Sequence, residues 1–240
     1  MAEDLSDRNS YCDRCAIAAF CAPEKPGSSQ HTVMGELRPL HKTIDAGQTL
    51  FRLGDKFTAL FGIRSGCFKS TVSDAGGREH IINFYLPGEL IGFDAIYPAT
   101  YRSDAIALCD SSVCALPFKD LLDLAATRPA LQWRLFEIMS REAFYSATLA
   151  GNCTAAERLS AFLVGLSARF AALGLSAEEF VLPMSREDIA SHLRLTPETI
   201  SRLLREFQND GLLGVDQRRV EIIDHDGLLR QAGPMNRWPG

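Results

Sequence analysis

The chain has 240 residues, 46% hydrophobic and 23% charged, with a formal net charge of −5. This fits one large or two small globular domains and excludes a disordered or fibrous chain. No apolar run reaches the roughly 18 residues of a membrane span. The acidic start, Met1-Ala2-Glu3-Asp4, lacks the basic and apolar regions of a signal peptide, so a cytoplasmic protein is expected. The acidic balance argues against a broad non-specific nucleic-acid binder, yet leaves room for a specific one with a small docking surface.

The chain holds seven cysteines. In a reducing compartment they are expected as metal ligands or buried thiols rather than disulfides. Residues 1–30 open with Cys12, Cys15 and Cys21, a C-x2-C-x5-C array. They continue into the loop-like Pro23-Glu24-Lys25-Pro26-Gly27, and together read as an arm without much regular structure of its own. Two thiolates three residues apart can reach one metal centre, and the third arrives after a short loop. Zinc sites and cubane iron–sulfur clusters both normally take four ligands, so a fourth must come from elsewhere. Cys67, Cys109, Cys114, Cys153 and His31 are the candidates. Spacing alone does not choose zinc over iron–sulfur. Cys67, Cys109 and Cys153 sit among small or apolar residues and read as buried thiols.

Residues 40–117 carry short β-branched and aromatic runs. Turn signals separate them at Asp45-Ala46-Gly47, Gly54-Asp55, Ser65-Gly66, Asp74-Ala75-Gly76-Gly77 and Pro87-Gly88. The near-even spacing predicts an antiparallel barrel or sandwich. Phe118 to Ala126 predicts a short helix, and Pro129 opens a longer one. The longer helix has two apolar stripes. Leu131, Leu135, Ile138, Tyr145 and Leu149 form one; Phe136, Met139, Ala143, Ser146 and Ala150 form the other. A helix apolar on two sides buries two sides, one against its own domain and one against a partner helix, as in a dimer.

Ala155 to Leu173 predicts an amphipathic helix that ends near Gly174. Ser185 then caps a helix, with Asp188 three residues on. Arg194 and Leu195 make a turn. Thr196 caps a second helix that has Pro197 at its first position and Glu198 near the positive end of its dipole. Ile200, Leu203, Leu204 and Phe207 mark its inner face, and Glu198, Ser201, Arg202 and Arg205 its outer one. Arg suits guanine, Glu accepts from cytosine and Ser is permissive, so the outer face has the chemistry of a recognition helix in the major groove. Gly211 to Val215 and Val220 to Ile223 flank Asp216-Gln217-Arg218-Arg219. This reads as a hairpin wing that places Arg218 and Arg219 for phosphate contact. No nucleophile–base pair or glycine-rich phosphate loop stands out, so an enzyme is not expected.

The segment Leu195-Thr196-Pro197-Glu198-Thr199-Ile200-Ser201-Arg202-Leu203-Leu204 resembles the CRP/FNR superfamily, and within it the branch of oxygen-responsive fumarate and nitrate reduction regulators. Ile63-Arg64-Ser65-Gly66, Leu90 to Ile96, Val113 to Phe118 and Ala156-Glu157-Arg158-Leu159 extend the resemblance over nearly the whole chain. It implies an α+β architecture. A cysteine-rich arm (1–30) precedes a cyclic-nucleotide-binding-like antiparallel β-roll (31–126), a long dimerisation helix (127–153) and a winged helix-turn-helix (154–240). It implies a 4Fe–4S cluster on Cys12, Cys15, Cys21 and Cys114, and a homodimer that binds a two-fold symmetric double-stranded DNA site when oxygen is absent. Glu198, Ser201 and Arg202 would read bases, and RNA polymerase would be a partner. The chain departs from the family pattern at three places. The stretch between Ser140 and Ala156 is about three residues short, Ala16 replaces a serine after Cys15, and Arg102-Ser103 resembles the phosphate pair of the cyclic-nucleotide branch. That branch has an acidic residue after its glycine, where Phe93 follows Gly92 here. The alternatives are a cyclic-nucleotide or haem-type sensor on the same scaffold, or an iron–sulfur electron carrier.

Overall fold

The computed structural model describes residues 40–233 apart from 75, 150 and 152. Cys12, Cys15, Cys21, His31 and Ala150 therefore lie outside the described residues, as do the side chains of Tyr145 and Leu149. The described residues form two compact units. One holds residues 40–72 and 83–140, the other 73–82 and 141–233.

Eight short strands form two antiparallel sheets. One sheet runs in the order β1 (Leu40–Ile44), β8 (Ser111–Pro117), β3 (Ala59–Ser65), β6 (Leu90–Ile91). The other runs β2 (Thr49–Phe51), β7 (Asp104–Ala107), β4 (Phe68–Ser73), β5 (Glu79–Tyr85). Each predicted turn signal falls between strands or, at Ser65-Gly66, on the last residue of one, and the expected two-sheet roll is present. Gly66 makes the β3–β4 corner at φ 85°, where a Cβ would collide with the Ser111 side chain. Only glycine combines that left-handed backbone with that close approach.

Successive side chains of a strand point to opposite faces. On β8, Val113 and Ala115 join Phe61, Ile63, Phe68 and Tyr101 in one core cluster. Cys114 and Leu116 alternate with them and join a second cluster with Leu60, Leu90 and Phe93. Both faces of β8 are buried, which explains its continuous apolar run. The second cluster is closed by two helices, α1 (Phe118–Thr127) and α2 (Pro129–Leu149), through Leu121, Leu124, Leu131, Leu135 and Ile138. Leu131, Leu135 and Ile138 of the first stripe of α2 thus face the roll, as their spacing predicts.

In the second unit α3 (Ala155–Ala172) begins with a capping box between Thr154 and Glu157. The chain continues through β9 (Glu179–Val181), α4 (Arg186–Leu193), α5 (Pro197–Asn209), β10 (Leu213–Asp216), β11 (Arg219–Ile222) and α6 (His225–Gln231). The hairpin β10–β11 is the predicted wing. Its third strand, β9, pairs antiparallel with β11 and was not anticipated. Arg158 of α3 donates to the Leu193 carbonyl at 3.2 Å, which satisfies an otherwise orphan acceptor at the end of α4.

Candidate functional site

The outer face of α5 is positioned by its caps and its core side. Ser185 accepts from the Asp188 N–H at 3.0 Å, and Asp188 accepts from the Ser185 N–H at 3.0 Å, so α4 begins on a reciprocal cap. Arg194 ends α4 in the left-handed conformation, φ 57°. Thr196 then accepts from the Thr199 N–H at 3.2 Å, and Pro197 fills the first helical position. Ile200, Leu203, Leu204 and Phe207 are all buried. Burying each is worth about 1.5–3 kcal/mol, enough to lock the rotation of the helix about its axis. Glu198, Arg202 and Arg205 are left exposed and Ser201 half-buried on the opposite face. The predicted inner and outer faces of α5 are therefore the observed ones.

The side chains on that face are not independent. The Glu198 carboxyl is held below the usual range by hydrogen bonds from its own N–H and from Thr196. It is an acceptor only, as a contact to a cytosine amino group requires. The Arg202 guanidinium donates to Glu206 at 2.5 Å, one helical turn on. Arg186, at the start of α4, donates to the Ser201 hydroxyl at 3.3 Å. Neither Glu206 nor Arg186 was singled out in the sequence. The i,i+4 spacing of Arg202 and Glu206 is a signal that could have revealed the first; the second joins two helices and leaves no local signature.

On the wing, Arg218 is exposed at the turn and Arg219 forms an ion pair with Glu179 of β9.

The described cysteines separate by burial. Cys114 is fully buried on β8, opposite His41 on β1 and Gly62 on β3. Cys67 is buried and Cys153 half-buried. Cys109 is exposed, which corrects the expectation that it is a buried thiol. It sits in the β7–β8 connection beside the exposed Asp110, and its carbonyl accepts from the Ser111 hydroxyl at 2.7 Å. Among the described residues no cluster of three or more metal-ligating side chains forms.

The second stripe of α2 is uncovered. Phe136 is 56% and Met139 42% exposed, and Ala143 and Ser146 are exposed beside them. Trp133, 74% exposed, precedes Phe136 by three residues, neighbouring it on the helix surface, and was not part of the predicted stripe.

Among the described residues no helix is long and apolar enough to cross a membrane. A Crp-like helix-turn-helix domain model matches residues 157–231, and a cyclic nucleotide-binding domain model matches residues 41–128. The transcriptional activator protein FnrA of Stutzerimonas stutzeri is 38% identical over 231 residues, covering 95% of each chain. The fumarate and nitrate reduction regulatory protein of Escherichia coli K12 is 40% identical over 226 residues, 93% of this chain and 90% of that one. The transcriptional regulatory protein btr of Bordetella pertussis is 37% identical over 95% of this chain and 96% of its own. Among solved structures, FixK2 of Bradyrhizobium japonicum superposes with a TM-score of 0.72 at 25% identity, covering 80% of this chain and 96% of that one. With its helix-turn-helix, wing and β-roll in place, the chain belongs to the CRP/FNR superfamily of DNA-binding transcription regulators and is not an enzyme.

Proposed function

We propose that this regulator responds to oxygen through a 4Fe–4S cluster held by Cys12, Cys15, Cys21 and Cys114, and that loading favours a homodimer that binds a two-fold symmetric promoter site. The observation that carries the reading is the place of Cys114. Its thiol lies in the same core cluster as Leu131, Leu135 and Ile138 of α2. A ligand set joining Cys114 to the arm therefore bears on the packing of the helix whose opposite stripe, Phe136, Met139, Ala143 and Ser146, stands uncovered. Four thiols are a donor set suited to a cubane, and bound iron–sulfur supplies oxygen-sensitive chemistry there. The names of the FNR relatives support this reading. A shift between monomer and dimer needs only about a few kcal/mol. The dimer would present Glu198, Ser201, Arg202 and Arg205 of each copy to one half-site, with Arg218 on phosphate and RNA polymerase as the downstream partner.

The cyclic nucleotide-binding domain match raises a second reading, a cyclic-nucleotide sensor. The local chemistry favours the cluster. Ser103 is buried and donates to the Asp94 carboxylate at 2.9 Å. An anionic phosphate at this serine would meet a like charge, and Phe93 follows Gly92 where an acidic residue would bind ribose.

The test is ligand replacement under nitrogen. Full-length protein should carry about four irons and four sulfides per chain, as a cubane requires, with a broad visible absorbance that air removes. Cys114→Ser should lose the iron, and Cys67→Ser, Cys109→Ser and Cys153→Ser should keep it. Stoichiometric zinc without iron would overturn the sensor reading. Loss of iron in Cys109→Ser but not in Cys114→Ser would move the fourth ligand.

A further inference from the structure

Arg186 occupies the first position of α4, directly after its cap Ser185. Its guanidinium reaches across to α5 and donates to Ser201 Oγ at 3.3 Å. A guanidinium has donors and no acceptor, so the serine oxygen accepts at this contact. A hydroxyl carries one hydrogen and two lone pairs. With one lone pair engaged by a cation, any donor approaching the other lone pair meets a nearby positive charge. The hydroxyl hydrogen remains free to turn outward.

We propose that Arg186 is a specificity-determining positioning residue: it fixes Ser201 as a hydrogen-bond donor toward the DNA and so makes the base beneath Ser201 anything but cytosine. This rests on the reading of α5 as the base-reading helix. In the major groove thymine offers O4, guanine O6 and N7, and adenine N7, all acceptors. Cytosine offers only its amino donor. A serine without a cation behind it is permissive, able to accept from that amino group as readily as to donate. Arg186 removes the permissiveness, and it does so without touching the base. Both partners are solvent-accessible side chains outside the hydrophobic core, so replacing either leaves the inner faces of α4 and α5 intact.

The experiment is a base-preference profile. Full-length protein prepared under nitrogen is equilibrated with a pool of randomised duplexes, and bound and free pools are sequenced at two salt concentrations. Ser201→Ala identifies the half-site position that Ser201 reads. Arg186→Ala is expected to relax the rejection of cytosine at that position by roughly fivefold, about one hydrogen bond's worth. Preferences elsewhere stay unchanged, and the double variant relaxes no further than Ser201→Ala alone. Arg202→Ala is the reference for the underlying reading. A uniform loss of affinity in Arg186→Ala, with the profile intact and the salt slope lowered by about one, would make Arg186 a phosphate contact and overturn the proposal. Relaxation at a different position would also overturn it, because Arg186 would then read a base itself. If Arg202→Ala remains base-specific in either of these cases, only this inference falls. If Arg202→Ala too is uniform, the base-reading role of α5 falls with it.

Discussion

Arg202, proposed to read a guanine, is already oriented in the free protein. Its guanidinium is tied to Glu206 at 2.5 Å, yet the pair is exposed and its net worth is about 0.3–0.5 kcal/mol. The pair orients the fork without holding it so tightly that guanine could not compete. Arg202→Ala is expected to weaken binding to a matched site by roughly ten- to a hundredfold, with the loss confined to one base pair. Arg218→Ala in the wing should weaken all sequences alike and lower the salt slope by about one. A uniform loss in Arg202→Ala would contradict its base-reading role. His192, buried on α4, gives a separate residue-scale prediction. Burial first, and the Arg169 charge second, push its pKa down from 6.5 to about 4, while the Ile81 and Ile82 backbones pull it partly back. The folded protein thus disfavours the imidazolium that the unfolded chain accepts. Stability from this residue is fully present above pH 6.5 and is lost as pH falls toward about 4, by about 3 kcal/mol in all. His192→Gln should remove that part of the acid slope in denaturant titrations. An unchanged slope would contradict the assignment.

At the scale of elements, periodicity was legible wherever burial is one-sided or local. The inner face of α5 follows helical spacing and is buried as read, and so are Leu131, Leu135 and Ile138 of the first stripe of α2, the part of that stripe whose side chains are described. Caps at Ser185 and Thr196 were legible because they are local hydrogen bonds between residues three apart. What escaped was non-local. The strand β9 is three residues long and exists because β11, nearly forty residues later, pairs with it. The Arg186–Ser201 bond joins two helices, and the exposure of Cys109 depends on where the β7–β8 connection leaves the sheet. The cysteine array lies outside the described residues. The uncovered stripe of α2 carries its own prediction. Met139→Glu should shift loaded protein from dimer to monomer in sedimentation experiments, because two carboxylates would be buried without partners. A dimer that tolerates this charge would remove the stripe from the interface.

At the scale of the whole molecule, the proposed coupling runs from a thiol on β8 to the outer face of α5, more than eighty residues later in sequence. The chain supplies the physical parts. Strand alternation turns Cys114 toward the helices rather than between the sheets. α2 packs Leu131, Leu135 and Ile138 on that layer and leaves Phe136 and Met139 exposed, and α5 carries donors and acceptors on its outer face, backed by a buried apolar inner face. Between Ser140 and Ala156, α2 ends at Leu149 and α3 begins at Ala155. The coupling between these parts is most directly tested by one measurement, the affinity of anaerobically prepared full-length protein for a site selected from random duplexes, before and after air. The account predicts a fall of at least about tenfold, or 1.4 kcal/mol, together with loss of iron, and no such fall in Cys114→Ser, which should bind weakly throughout. Equal affinity with and without air, in protein shown to have lost its iron, would contradict it.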